Sequence, residues 1–163
     1  MNKTRGLTEE AKVLDDFLKQ YGSYINRKHA LEAREKEIIR EFDMPLNAPV
    51  NDGMPHGTGE NLGAASLPLQ LDEIRTRIHE AKKECAKRYT KVDDVISYLD
   101  ENTTERAILE KKYIDRLEWA DICASEMLTR TPAIQYWRSG LYILLSFARV
   151  QKIVAEHKKS KEG

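Results

Sequence analysis

Hydrophobic positions recur at helical spacing along most of the chain, which predicts an all-α protein. The first such stretch runs from about Leu7 to Phe42, and it opens with Thr8 before Glu9 and Glu10, residue types that favour a helix N-terminus. Its apolar residues lie on one face of a highly charged helix: Leu14, Phe17, Leu18, Tyr21, Tyr24, Ile25, Leu31, Ile38 and Ile39. A single apolar stripe of this kind requires a partner helix.

A second helix is predicted from about Leu69 to Asp100, with apolar residues close to the heptad spacing of a coiled coil. Those residues are Leu71, Ile74, Ile78, Ala81, Cys85, Tyr89, Val92, Ile96 and Leu99. Between the two helices, residues 43–68 are rich in glycine and proline and predict a long loop. We therefore expect an antiparallel helical hairpin over residues 1–102. The same stripes fit pairing between two chains, and the sequence leaves both arrangements open.

The polar residues 101–104 interrupt the second helix, and we place a domain boundary between residues 102 and 103. The remaining domain, 103–163, shows three further helical patterns. The first two are predicted at about Glu105–Ile114 and Glu118–Met127. The third begins after the polar turn of residues 128–131, with Pro132 in the first helical position, where a missing N–H is tolerated. This is the layout of a helix-turn-helix.

In a helix-turn-helix, the second helix enters the DNA major groove and reads bases with its first few residues. We predict that the third pattern buries Ile134, Trp137, Leu141, Leu144 and Ala148. Its outward residues are Ala133, Gln135, Tyr136, Arg138 and Ser139. Gln pairs well with adenine, and Arg with guanine. Phosphate contacts are predicted for Thr129, Arg130 and Thr131 at the helix N-terminus, and for Lys111, Lys112 and Arg116 nearby. A solvated surface on an ordinary helical bundle would show the same pattern.

The distribution of charge favours the C-terminal domain as the nucleic-acid contact. The whole chain is neutral, with 27 Lys and Arg against 27 Asp and Glu. Residues 104–163 carry 11 basic and 8 acidic residues, whereas residues 46–103 carry 7 and 10. The excess of positive charge suits contact with phosphate. The basic end of the chain, residues 157–161, is explained equally well as the solvated end of a helix.

Other classes of function have little support in the sequence. Cys85 and Cys123 are far apart, which suggests free thiols in a reducing cytoplasm. No signal peptide and no apolar run of about 20 residues is visible, so we expect a cytoplasmic protein without membrane contact. The four histidines are scattered, and the glycine-rich loop lacks the Gly-Lys-Ser/Thr ending of a phosphate-binding loop. We therefore predict no enzyme activity, no metal and no cofactor.

Two segments carry a family resemblance. Residues 105–114 and 117–123 resemble the opening and the second helix of the sigma-factor region-four DNA-binding fold. Met127 and Leu128 stand where the sigma-like turn commonly has glycine. The chain as a whole resembles the ArpU/RinA-like phage transcriptional regulators, and residues 52–59 are similar to a glycine-rich loop of that family.

The resemblance implies a sequence-specific DNA-binding regulator, an activator of phage or prophage genes. Its expected partners are double-stranded DNA, a second copy of the chain in a homodimer, and RNA polymerase. The alternative is a non-enzymatic helical adaptor or scaffold that acts through protein–protein contacts. The apolar stripes of the two long helices are compatible with either function.

Overall fold

The computed structural model describes the backbone of residues 6–47 and 61–163 and the side chains of residues 6–42 and 66–163. Most of these residues are helical, and no strand occurs among them. The predicted all-α fold class is confirmed. The helices are α1 (Glu9–Leu18), α2 (Gln20–Asn47), α3 (Asn61–Ile96), α4 (Thr104–Leu109), α5 (Trp119–Glu126), α6 (Arg130–Leu145) and α7 (Ala148–Glu162). A π-helical turn, Glu110–Ile114, continues α4. No helix in the described part of the chain is long and apolar enough to span a membrane.

The chain divides into two compact units, and neither ends at the predicted boundary between residues 102 and 103. The core unit comprises the described residues up to Ser23 together with Ala86–Gly163, and the arm unit comprises Tyr24–Cys85. The boundary differs because both α1 and the end of α3 bury apolar side chains against the C-terminal helices. The residues of α1, α3 and their flanking positions in this shared core are Leu7, Ala11, Leu14, Phe17, Leu18, Val92, Val95, Ile96 and Leu99.

The first predicted helix is divided at Lys19 into α1 and α2. Its predicted N-terminus is confirmed, since the Thr8 side chain accepts a hydrogen bond from the Ala11 N–H at 3.3 Å. In α1, apolar residues three and four positions apart face the interior of the core unit. Four of the ten residues of this helix are buried hydrophobics. The sequence pattern had assigned the same positions to a hairpin with α3.

The predicted loop at 43–68 is wrong at both edges. Helix α2 continues to Asn47 and α3 begins at Asn61, whereas residues 48–60 lie outside the described part of the chain. Pro68, which was expected to end the loop, lies inside α3. The residues before it include Leu62, Ala64 and Ala65, which favour helix, and a proline removes one backbone hydrogen bond without necessarily ending the helix.

Among the arm-unit side chains that the structure describes, the buried ones all belong to α3, and they are Ile74, Ile78, Ala81 and Cys85. The Glu35 carboxylate on α2 accepts a hydrogen bond from the Arg75 Nε on α3 at 3.2 Å. Among the α2 residues from Tyr24 to Phe42, none is fully buried. The arm unit therefore leaves much of the apolar stripe of α2 only partly covered.

A buried hydrogen-bond network joins α1 to the C-terminal helices of the core unit. The Tyr113 hydroxyl donates to Asp15 Oδ1 at 2.5 Å and accepts from Trp137 Nε1 at 2.8 Å. Lys19 Nζ donates to the other Asp15 oxygen at 2.7 Å. Burial, together with the nearby negative charge of Asp15, raises the pKa of Tyr113 well above its ordinary value. The phenol therefore stays protonated, and it keeps its role as the donor to Asp15.

The π-helical turn places Tyr113 in this network. A π-helical turn accommodates an extra residue in the helical path, and such turns are often found at functional positions. Here the turn lies directly after α4, and Tyr113 within it is 2 % exposed. Helix α4 itself begins at Thr104, one residue before the predicted start, and the side chain of Thr103 accepts a hydrogen bond from the Arg106 N–H at 3.4 Å.

Candidate nucleic-acid interface

Helices α5 and α6 are joined by a turn of three residues, 127–129, rather than the four predicted at 128–131. Met127 has left-handed backbone angles, φ 56° and ψ 39°. The N–H of Leu128 donates to the Cys123 carbonyl at 3.0 Å and the N–H of Met127 to the Ala124 carbonyl at 3.4 Å. These bonds satisfy the last carbonyls of α5 in the manner of a Schellman motif. The left-handed position that glycine commonly fills is thus filled by methionine.

Replacement of Met127 by glycine is expected to raise the free energy of unfolding by up to about 1 kcal/mol. A left-handed conformation costs an L-residue about 1–2 kcal/mol, and the greater freedom of unfolded glycine offsets about half of that gain. The Met127 side chain is 92 % exposed, so its removal loses little packing. Urea denaturation measures the change. Met127→Ala is the matched control, because alanine keeps the strain. An equal gain in both variants would contradict this explanation.

Helix α6 begins at Arg130, two residues before the predicted start, and Thr129 is its extended N-cap residue. Pro132 is therefore the third helical residue and not the first. The first residues of a helix have no intrahelical acceptor for their N–H groups, so a proline in the third position removes no helical hydrogen bond. The same tolerance that predicted Pro132 in the first position allows it in the third. The residues predicted to contact DNA from α6 therefore lie two positions farther from the start of the helix than expected.

The buried face of α6 also differs from the predicted one. Ala133 is fully buried, so its assignment to the outward face is wrong. The buried stripe consists of Ala133, Trp137, Gly140, Leu141 and Leu144, at spacings of three and four. Ile134, predicted inward, is only half-buried, and Ala148, also predicted inward, is exposed at the start of α7. The buried stripe includes Ala133 and Gly140 because glycine at position 140 leaves room for Leu109 of α4 to pack closely against α6.

Four of the predicted α6 contacts are exposed at or near its N-terminus: Arg130, Thr131, Gln135 and Tyr136. Arg138 and Ser139 are half-buried. Arg138 Nη1 lies 3.9 Å from the point where a Cβ on Gly6 would stand, and the Thr8 N–H donates to the Tyr142 hydroxyl at 3.4 Å. The chain before α1 therefore lies against the middle of α6, and the first two turns of α6 are the more open part.

The lysines predicted to contact phosphate are engaged within the core unit. Lys111 forms an ion pair with Glu126 at the end of α5. Lys112 Nζ lies 4.7 Å from the centre of the Trp119 ring and 5.5 Å from that of Trp137, which are cation–π distances. Both lysines are half-buried. Their main contacts stabilise the packing of the π-helical turn against α5 and α6.

Arg116 is exposed, and it contacts a different part of the core unit from the two lysines. Its Nε lies 3.4 Å from the point where a Cβ on Gly22 would stand, at the start of α2. Its backbone is left-handed, with φ 59°, directly after the π-helical turn. The predicted cations are thus distributed over several contacts of the core unit, and Arg130 is the one that lies at the N-terminus of α6.

The charge of the segment that contains α6 has one sign. Residues 127–155 contain no Asp or Glu, and their charged residues are Arg130, Arg138, Arg149 and Lys152. The N-terminus of α6 adds the partial positive charge of the helix dipole. An anionic partner therefore meets no acidic residue belonging to this segment. This absence of acids is a signal that the sequence offered in addition to the net charge of residues 104–163.

Sequence reasoning missed the contribution of α1 to this part of the molecule. Asp15 on α1 holds Tyr113, and Tyr113 in turn holds the indole of Trp137 on the buried face of α6. The orientation of α6 therefore depends on a helix more than 100 residues earlier in the chain. The spacing of Leu14 and Leu18 signalled a buried face, but not its partner.

Comparison with protein-family models, curated proteins and solved structures finds no match to this chain. Among the described residues, no three His, Cys, Asp or Glu side chains come together as a metal site. Cys85 is buried and Cys123 half-buried, and both are free thiols. The geometry of the α5–α6 segment and its charge are therefore the basis for a functional hypothesis.

Proposed function

We propose that this chain binds double-stranded DNA as a sequence-specific transcription regulator, with the N-terminal half of α6 in the major groove. The observation that carries the proposal is the exposed set Arg130, Thr131 and Gln135 at the start of α6, directly after α5 and a short turn. This set lies in a segment without acidic residues. A helix of this kind is the part of a helix-turn-helix that reads bases.

Each exposed side chain has a distinct role in this proposal. Arg130 and Thr131 contact phosphate beside the helix N-terminus, where the dipole favours an anion. Gln135, one turn further along, makes paired hydrogen bonds to adenine, and Tyr136 contacts the neighbouring sugar or a thymine methyl group. Arg138 and Ser139 extend the contact toward the middle of α6. Ala133 has no role in base contact because it is buried.

The resemblance to the ArpU/RinA-like regulators extends this proposal to an activator of phage or prophage genes in the cytoplasm of a bacterial cell. Such a protein binds as a homodimer and contacts RNA polymerase. The partly covered stripe of α2 supports a dimer contact through the arm unit, since Ile39 is 38 % exposed and Phe42 is 39 % exposed. Dimers of this class read two half-sites about one helical turn apart.

The same stripe favours a second candidate function, that of a helical adaptor. In that case the exposed Ile39 and Phe42 contact another protein, and the exposed face of α6 remains solvated. The adaptor has no requirement for Arg130 or Gln135. The two functions therefore differ in whether substitutions on α6 have a measurable effect.

A binding experiment on DNA selected from a random duplex library separates the two functions. Affinity of a DNA-binding regulator is expected to fall steeply as salt rises, because counterions are released from phosphate. Gln135→Ala should weaken specific binding by about 1–2 kcal/mol, with little effect on nonspecific binding. Arg130→Ala should weaken both and reduce the salt slope by about one.

Matched controls lie on the arm unit, where Gln70→Ala and Arg40→Ala replace exposed residues of the same types. Both controls should bind the selected DNA like the parent protein. If Gln135→Ala and Arg130→Ala also bind like the parent, the proposed register of α6 is wrong. If the selection recovers no DNA at low salt, the chain is not a DNA-binding regulator and the adaptor function is favoured.

A further inference from the structure

The core unit contains a cavity of about 670 Å³ that lies away from the proposed DNA-reading residues. The side chains around it come from the junction of α1 and α2, the last turns of α3, and α7. The apolar part of the wall includes Phe17, Val95, Tyr98 and Ile153. Pockets for small molecules in proteins typically measure about 300–1,000 Å³ and combine apolar walls with a few polar groups. The cavity has the size and composition of such a pocket.

The polar part of the wall is rich in groups that donate hydrogen bonds to anions. Arg88, Lys91 and Arg149 contribute three positive charges, and Asp94 and Glu156 contribute two negative ones. The two arginines come from different helices, α3 and α7. A guanidinium group presents several N–H donors in a plane and matches the oxygens of a phosphate or carboxylate. The wall therefore has a net positive charge and contains donor groups of the kind that bind oxyanions.

His157 also lines the cavity, and its position is fixed from α1. Its Nε2 lies 2.8 Å from Asp16 Oδ2, and Lys161 Nζ lies 2.5 Å from the same oxygen. Burial alone would raise the pKa of Asp16, but hydrogen bonds from Lys161 and His157 hold it below its ordinary value. The carboxylate of Asp16 thus remains charged and binds the side chains of His157 and Lys161. The other cationic side chains that line the cavity are Arg88, Lys91 and Arg149.

Gln20 gives independent support for a ligand. Its side chain lines the cavity, it is only 9 % exposed, and its Oε1 accepts a hydrogen bond from Arg88 Nη1 at 2.7 Å. Its amide Nε2 is buried, and no group in the described part of the chain accepts a hydrogen bond from it. A buried donor without an acceptor destabilises the folded state. An acceptor oxygen of a ligand would remove this cost.

We propose that this cavity binds a small organic phosphate, with the phosphate held by Arg88, Lys91 and Arg149 and the organic part against Phe17, Tyr98 and Ile153. The volume exceeds what inorganic phosphate alone would fill, so the apolar wall has room for an organic group. The ligand is of the size of a nucleoside monophosphate. This site is independent of the residues on α6 that read DNA in the proposed function.

The test is isothermal titration calorimetry on the full chain with a panel of probes. The probes are the four ribonucleoside 5′-monophosphates, glucose 6-phosphate, inorganic phosphate and adenosine. At least one organic phosphate should bind at sub-millimolar concentration, and more tightly than inorganic phosphate or adenosine. Arg149→Gln and Lys91→Gln should each raise its Kd at least tenfold. Both positions are exposed, so these variants should fold normally.

Lys152→Gln is the matched control, because Lys152 is exposed on α7 and does not line the cavity. It should leave the Kd of the organic phosphate unchanged. Three results overturn the inference: no organic phosphate binds at millimolar concentration, Lys152→Gln has the same effect as Arg149→Gln, or Arg149→Gln and Lys91→Gln weaken only DNA binding. The last result would place the cavity within the DNA contact surface. If the parent protein binds an organic phosphate but no DNA, the proposed function is rejected and the cavity site stands.

Discussion

Replacement of Tyr113 by phenylalanine is expected to lower the free energy of unfolding by about 2–4 kcal/mol. The change removes one hydroxyl that serves two buried partners. The indole N–H of Trp137 loses its acceptor, and the carboxylate of Asp15 loses the donor that lies 2.5 Å away. Asp15 is 3 % exposed, so water cannot easily replace that donor. Because one of the two groups is a charged carboxylate, we expect a loss greater than that of one ordinary hydrogen bond.

Urea denaturation followed by circular dichroism measures this loss, and Tyr136→Phe is the matched control. Tyr136 belongs to the same core unit, but its side chain is 38 % exposed and water can satisfy its hydroxyl. The control should change stability by less than about 0.5 kcal/mol. If the two variants have equal stability, the buried network contributes nothing to the docking of α1.

The second large effect is expected at Gly140, where α4 and α6 are in close contact. A Cβ on Gly140 would stand 2.6 Å from Leu109 Cδ1 and 3.4 Å from Glu105 Cβ. Leu109 is fully buried, so its side chain cannot move into solvent. Gly140→Val is therefore expected to force the two helices apart and to destabilise the core unit by about 3 kcal/mol, near the upper end for overpacking. Thermal and urea denaturation measure the effect.

Gly22→Ala gives the corresponding control within a helix of the same unit. A Cβ at Gly22 would meet only the flexible side chain of Arg116, at 3.4 Å. Alanine is favoured over glycine in a helix by about 1 kcal/mol, so this variant should be slightly more stable than the parent protein. A stable Gly140→Val protein would show that the α4–α6 contact is looser than the structure indicates.

Helical periodicity predicted the fold class and the approximate positions of most helices, because each helix must place apolar residues three and four apart to bury a face. It could not identify the partner of each face. The stripe through Leu14 and Leu18 fits a hairpin with α3 as well as it fits the core unit, and only the three-dimensional contacts distinguish the two. The predicted boundary after residue 102 differs from the division into the two units for that reason.

For the candidate interface, too, the sequence predicted the helices but not which neighbouring helix covers each of their faces. The helix, turn and helix were located to within two residues, and Arg130, Thr131, Gln135 and Tyr136 are exposed as expected. Ala133 was placed outward because alanine fits either a surface or a tight helix contact, and its burial depends on the neighbouring α4. The left-handed turn was obscured because methionine, and not glycine, occupies position 127. The cavity beside Gln20 joins residues from distant helices, and no local pattern signals it.

The division of the core unit into two sequence segments has a consequence for the order of folding during synthesis. Helix α1 leaves the ribosome first, but α6 and α7, against which it packs, are made more than 100 residues later. At a typical rate of synthesis, that interval lasts about 5–20 s. The apolar face of α1 is without its native partner throughout, whereas the arm unit is complete once Cys85 has emerged. We therefore expect the apolar face of α1 to stay accessible to chaperones on the nascent chain until synthesis is nearly finished.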